Sequence, residues 1–139
     1  MATIIRPEIS RRNKYWIDKH RHYELKHFCL QYPEWKKSLF NVTNSSSSLS
    51  NIGQIGSSNL PGDPTGNIAV EKLYYSTKID LVEKVAKETD SYLYTYILKA
   101  VTEGLSYNYL KYTLGIPCSR GVYYDRYRRF FWLLNEERG

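Results

Sequence analysis

Residues 105–132 decide the fold: Leu105-Ser-Tyr-Asn-Tyr-Leu-Lys-Tyr-Thr-Leu-Gly-Ile-Pro-Cys-Ser-Arg-Gly-Val-Tyr-Tyr-Asp-Arg-Tyr-Arg-Arg-Phe-Phe-Trp132. Ser106 and Ser119 each stand just ahead of a helical run, where a side-chain oxygen can accept from the first N–H groups. Between the runs, Leu114-Gly115-Ile116-Pro117 reads as a tight turn. Gly115 supplies a positive φ there, and Ile116 is the apolar plug where the two helices cross. Along the second run Tyr123, Tyr127, Phe130 and Leu134 recur at i, i+4, i+7 and i+11, one stripe that must face a core. A helix, a glycine turn and a capped helix is the pattern of a unit that lays its second helix in a DNA major groove.

Working upstream, Asp90 is placed to cap a helix carrying Leu93, Ile97, Ala100 and Val101 at helical spacing, with Gly104 as its stop. Before it, helical content is expected from about residue 67 to 88, with Asp63 or Thr65 as its cap and Ile79, Val82, Val85 and Ala86 as its apolar stripe. Asp80–Lys84 and Glu83–Lys87 are i, i+4 pairs in the favourable order. A helix pair alone buries too little surface to be stable, so these upstream helices complete the domain.

Residues 43–67 differ in character: a Ser/Asn run, then Gly53, Gly56, Pro61, Gly62, Pro64 and Gly66. Such a composition offers too little apolar surface to offset the entropy of ordering it, and it predicts a flexible linker. Ahead of it, residues 13–32 lack Gly and Pro and predict a helix apolar on two sides. Ile17, Leu25, Phe28, Cys29 and Tyr32 form one side and Trp16, Tyr23 and Leu30 the other. Pro33 ends it and opens a short helix over 34–41, with Trp35 and Phe40 as anchors beside Lys36-Lys37. Residues 1–12 read as an irregular basic arm. The expected organisation is therefore all-α: a basic aromatic helical arm (1–42), a Ser/Gly-rich linker (43–67) and a trihelical helix-turn-helix domain (68–139).

Charge follows this division. The net charge is +6, and it is concentrated at the ends: residues 1–40 hold 9 Lys/Arg against 4 Asp/Glu, and residues 105–139 hold 6 against 3. A basic excess so placed points to an anionic partner, double-stranded DNA. No run approaches the ~18 apolar residues a membrane helix needs, the start is not signal-like, and Cys29 and Cys118 lie in dissimilar contexts. The expected setting is the cytoplasm, with no membrane partner and no disulfide.

Chemistry-bearing clusters are sparse. His20, His22, His27 and Cys29 share one window, but residues two apart on a helix diverge, so no metal site is expected. The glycine-rich stretch lacks the G-x-x-x-x-G-K-[ST] spacing of a phosphate loop. No nucleophile has a base near it in sequence, so the chain is read as a non-enzyme without cofactors.

On the face of the last helix opposite its apolar stripe lie Gly121, Asp125 and Arg128, with Tyr124 at its edge and Arg120 in the first turn, and these five are the expected base-contacting residues. Arg can pair bidentately with guanine, Gly121 lets the backbone approach, and Asp125 can accept from cytosine or orient a neighbouring arginine. Ser106, Tyr107, Asn108, Lys111, Tyr112, Ser119, Arg126 and Arg129 flank this face and are expected at phosphates. Trp16 and Tyr23 in the arm and Trp132 on the last helix are expected at a partner surface, with the arm joining a homodimer.

The run Ser119-Arg-Gly-Val-Tyr-Tyr-Asp-Arg-Tyr-Arg-Arg resembles the S-R-x-T-[FY]-Y-x-x-[RK] recognition helix of many helix-turn-helix regulators. Together with Asp63-Pro-Thr, a long helix and the segment Tyr94 to Leu114, the layout over residues 63–135 is similar to the RinA/ArpU-type regulators of phage late genes. That resemblance implies a sigma-factor region-four-like unit that binds DNA near a promoter and activates transcription. The chain departs from the pattern at Pro117-Cys118, which lengthens the turn, and at Gly121 and Val122, which replace a polar residue and Thr. Two rival readings use the same helices: a small terminase-like packaging subunit, and a protein whose aromatic surfaces dock on RNA polymerase.

Overall fold

The computed structural model describes residues 12–56 and 64–139, with side chains for 12–44 and 66–139. Six helices form among the described residues: α1 (Lys19–Leu30), α2 (Tyr32–Gly56), α3 (Pro64–Thr89), α4 (Tyr94–Glu103), α5 (Tyr107–Tyr112) and α6 (Arg120–Arg138), with no strand. No helix among them is long and apolar enough to cross a membrane. Arg12 is the one described residue of the expected basic arm, and Asp63 and the Thr65 side chain lie outside the described residues.

The local signals explain most boundaries. Ser106 Oγ accepts from Tyr109 N (3.1 Å) and Ser119 Oγ from Val122 N (3.3 Å), opening α5 and α6 where expected. Gly104 (φ +70) ends α4, and Gly115 (φ +71) makes the turn, both in the left-handed region that costs other residues about 1–2 kcal/mol. Asp90, expected as the cap of α4, accepts through Oδ1 from Tyr92 N and Leu93 N, each at 2.9 Å, and so closes the turn ahead of the helix, which itself begins at Tyr94 with Leu93 as its cap and no side-chain capping bond. The first helix is shorter than expected. Asn13 Oδ1 accepts from Tyr15 N (2.8 Å) and Asp18 Oδ2 from His20 N (3.0 Å), and these local bonds hold 13–18 out of the helix, with Asp18 as its cap.

The linker expectation is corrected over its described part. Backbone 43–56 continues α2, and α3 begins at Pro64. From Glu34 to Ile52 there is neither proline nor glycine, and Ser, Asn and Thr each cost only about half a kcal/mol relative to alanine, so a helix started at Tyr32 can propagate. Thr43 Oγ1 bonds back to the Leu39 carbonyl at 2.8 Å, within the helix rather than against it.

The chain forms two compact units, one made of the chain to Gln31 together with Leu81–Gly139, the other Tyr32–Asp80. The division therefore falls at neither 42 nor 67. In the first unit α1 packs on α4 and α6, and α4 on α5. Its core holds Leu25, Phe28 and Cys29 of α1, Val82, Val85 and Ala86 of α3, Ile97, Ala100 and Val101 of α4, Leu110, Ile116, and Tyr123, Phe130, Phe131 and Leu134 of α6. So α1 is a core element of the unit that carries the turn and α6, where a separate arm was expected. In the second unit, the Lys78 ammonium sits 5.8 Å from the ring centre of buried Trp35.

Candidate nucleic-acid interface

α6 is held by contacts on three sides. Tyr123, Phe130 and Leu134 are buried, and Tyr127, half-buried, packs its ring against Phe131 (4.9 Å) and Tyr123 (6.0 Å). Phe131, absent from the expected stripe, is also fully in the core and meets the buried His22 ring edge-on at 4.8 Å. Burial pushes the hydroxyls of Tyr123 and Tyr127 and the Cys29 thiol up, so all three stay neutral. His22 and Cys29 are core residues, whereas His20 and His27 are exposed, so the four point to different surroundings.

A second side of α6 faces the end of α3. Arg129 Nε donates to the Thr89 carbonyl (3.1 Å), Nη2 to the Glu88 carbonyl (3.4 Å) and Nη1 to the Tyr15 hydroxyl (3.3 Å). These carbonyls belong to the last turn of α3, which has no intrahelical partners to offer them, and the guanidinium also opposes the negative end of the helix dipole. Arg126 Nε lies 2.8 Å from Asp90 Oδ2, and Arg126 pairs as well with Asp125. Burial draws the Asp90 carboxyl up, but the Arg126 hydrogen bond and the Leu93 and Tyr92 N–H groups outweigh it, leaving Asp90 below the usual carboxylate value. Tyr15, Lys87, Glu88, Thr89, Asp90, Ser91, Arg126 and Arg129 line an open depression of about 470 Å³ here.

Arg126 and Arg129, expected at phosphates, take internal partners that join α6 to the α3–α4 corner. Tyr107, expected there too, is 6% exposed, and its hydroxyl donates to the Cys118 carbonyl at 2.6 Å, fixing the turn instead of facing solvent. Burial, and after it the Asp90 charge, push the Cys118 thiol up, so it stays protonated at neutral pH. Asp125 pairs with Arg126 and not with Arg128 or Arg129. Trp132 packs on Tyr15 of the same chain, ring centres 6.0 Å apart, which gives the expected partner-surface residue an internal neighbour. Trp16 and Tyr23 are half-buried, Tyr23 meeting the edge of His22 and the Lys26 ammonium. In the C-terminal half of α6, Asn135 accepts from Arg21 Nε of α1 (2.6 Å). The N-terminal segment therefore covers α6 from Arg129 onward.

What stays accessible is the first part of α6 and the neighbouring α5. Ser119, Arg120, Gly121, Asn108, Lys111 and Tyr112 are exposed, and Tyr124 and Ser106 half-buried. Arg120 Nη2 donates to Asn108 Oδ1 (2.6 Å) and Nη1 to the Tyr124 hydroxyl (3.2 Å). Arg128 lies two turns on from Arg120, half-buried, with a buried Nε that has no hydrogen-bond partner. Two further residues belong to this surface, Tyr109 (45% exposed) and Val122 (41%). Tyr109 was legible in principle, since it precedes Tyr112 by three residues and so shares a helix face with it. A Cβ built on Gly121 meets nothing within 4 Å, so no internal contact requires glycine there.

The positive end of α6, Arg120 and Lys111 make this surface chemically suited to a phosphate-bearing ligand. A scan against protein-family models finds none that matches the chain. Searches of curated proteins and of solved structures likewise find no match.

Proposed function

We propose that this chain binds double-stranded DNA sequence-specifically, presenting the first two turns of α6 to the major groove, and regulates transcription at a promoter, in the manner of a phage late-gene regulator. The observation that carries the proposal is the placement of Arg120, Gly121 and Tyr124 on the exposed start of a serine-capped helix that follows a short helix and a positive-φ glycine turn. In this arrangement the N-terminal residues of the second helix meet base edges. Arg120 and Arg128 lie eight residues apart, about 12 Å along a helix axis, which spans three to four base steps of 3.4 Å. Arg128, whose buried Nε is unsatisfied, gains hydrogen bonds by turning its guanidinium outward to the duplex. Lys111, Tyr112, Ser106 and Ser119 line the sides of this face, where phosphates would pass, while Asn108, expected there too, accepts from Arg120 instead.

The reading is tested by recovering the tagged chain from cells with its bound DNA and sequencing what comes with it. The expected result is enrichment of one short motif upstream of genes. Recovery of DNA with no shared motif, or of no DNA, contradicts it.

A further inference from the structure

An arginine at an exposed helix start ordinarily samples many rotamers, and a base pair it reads must then be matched by a side chain that loses that freedom on binding. Arg120 is built differently. Its guanidinium carbon lies 4.9 Å from the Tyr107 ring centre and 5.9 Å from that of Tyr124. Asn108 Oδ1 accepts from Nη2 at 2.6 Å and the Tyr124 hydroxyl from Nη1 at 3.2 Å. Tyr107 is itself fixed, since it is buried and its hydroxyl bonds the carbonyl of Cys118, the residue before the α6 cap. One guanidinium is thus gripped from α5 by Tyr107 and Asn108, and from the second turn of α6 by Tyr124. Tyrosine faces attract the cation and orient its plane, and the two hydrogen bonds set its rotation within that plane.

We propose that Asn108, Tyr107 and Tyr124 are positioning residues that hold the plane of Arg120 ready for a guanine edge, so that this arginine specifies one guanine in the bound sequence. The inference rests on the duplex-binding reading of α6. Recognition of guanine O6 and N7 by an arginine is bidentate and depends on the plane of the guanidinium, so a fixed plane contributes discrimination as well as affinity. Arg128 lacks any such buttress at its buried Nε, and the same argument gives it a weaker base preference.

The test uses the full chain. A binding sequence is first selected from a randomised duplex pool with the unaltered protein. Affinities are then measured by fluorescence anisotropy for that duplex and for each single-base replacement. Arg120→Ala is expected to abolish preference for one guanine. Asn108→Ala is expected to lower preference for that same guanine roughly tenfold, within the discrimination a bidentate pair supplies, and to leave the other positions unchanged. Tyr124→Phe, which keeps the ring, should give a smaller loss at the same base. Combined with Arg120→Ala, Asn108→Ala should cause no further loss, because its effect passes through the arginine. Asn108 is exposed, so its variant keeps the fold, which circular dichroism verifies. An Asn108→Ala protein that weakens on all sequences alike, keeps its guanine preference, or loses preference additively with Arg120→Ala overturns the inference alone. An unaltered chain that selects no sequence overturns the duplex-binding reading as well.

Discussion

Arg129 separates two accounts of the basic face of α6, one in which its arginines hold phosphates and one in which some of them hold the protein together. Replacing it with methionine keeps the aliphatic stem and removes the guanidinium, which donates to the Thr89 carbonyl at 3.1 Å, to the Glu88 carbonyl at 3.4 Å and to the Tyr15 hydroxyl at 3.3 Å. A hydrogen bond from a charged donor contributes about 1.5–3 kcal/mol. Only the first of these three has good length, and water in the open depression competes for the others, so together they count for little more than one such bond. Losing the positive charge at the α3 terminus adds about 0.3–1 kcal/mol. The sum is about 2 kcal/mol, and at roughly 4 °C per kcal/mol for a chain of this size the midpoint should fall by about 8 °C. Thermal and urea unfolding followed by circular dichroism measure this, the urea midpoint falling with an unchanged slope. The salt dependence of DNA binding should stay as in the unaltered chain. If instead stability holds within about 0.5 kcal/mol and the salt slope drops by about 0.9, one phosphate contact has been lost and the assignment of Arg129 to the α3 corner is refuted.

Gly121→Ala has no steric penalty within the chain and replaces the poorest ordinary helix former with the best, so it should stabilise by up to about 0.8 kcal/mol, read as a higher melting midpoint. The same variant should bind duplex less tightly, because a methyl group then stands between α6 and the bases; unchanged affinity would show that the backbone does not approach DNA at this point. Lys111→Ala should leave stability within about 0.5 kcal/mol, since Lys111 is exposed, and should weaken binding to all sequences alike with a salt slope shallower by about 0.9. The folded Asp90 carboxyl titrates below its ordinary 3.8, so its contribution to stability is complete above that pH and is lost as the pH falls through the depressed value. Asp90→Asn should accordingly be less stable near neutrality and show a flatter stability profile below pH 4, measured by urea unfolding across pH.

The all-helical class, the end of α4 and the starts of α5 and α6 were legible because the residues that set them act on their own neighbours. Ser106 and Ser119 cap the N–H groups three residues on, Gly104 and Gly115 adopt the positive φ that their positions demand, and Ile116 plugs the turn. The apolar stripes of α3, α4 and α6 were legible for the same reason, being periodic. Over 43–56 the sequence misleads in the opposite sense: weak helix formers were read as a loop, yet a helix already begun at Tyr32 needs no strong formers to continue. Within the site, a helical wheel distinguishes the core side of α6 from the rest but says nothing of what covers the rest. Arg126 and Arg129 meet partners 36 to 41 residues away in sequence, at a corner whose position depends on how α3 ends against α6. Trp132 meets Tyr15 from the other end of the chain. Tyr107 and Asn108 look like solvent-facing polar residues in sequence, and only the turn folded back on itself brings them to Cys118 and Arg120.

The most direct test of duplex binding through the start of α6 is a fluorescence-anisotropy titration of the full chain against a mixed-sequence duplex at several salt concentrations between about 50 and 200 mM, values that bracket the range over which phosphate contacts are read out at about 0.9 log units each. With Lys111 as the phosphate-contacting cation of the face, affinity should fall with salt at a log–log steepness of about 0.9 or more, Lys111→Ala should flatten that slope by about 0.9, and Arg120→Ala should lower affinity with little change of slope. A chain that shows no duplex affinity at the lowest salt, or one whose affinity is indifferent to Arg120→Ala and Lys111→Ala, contradicts the account.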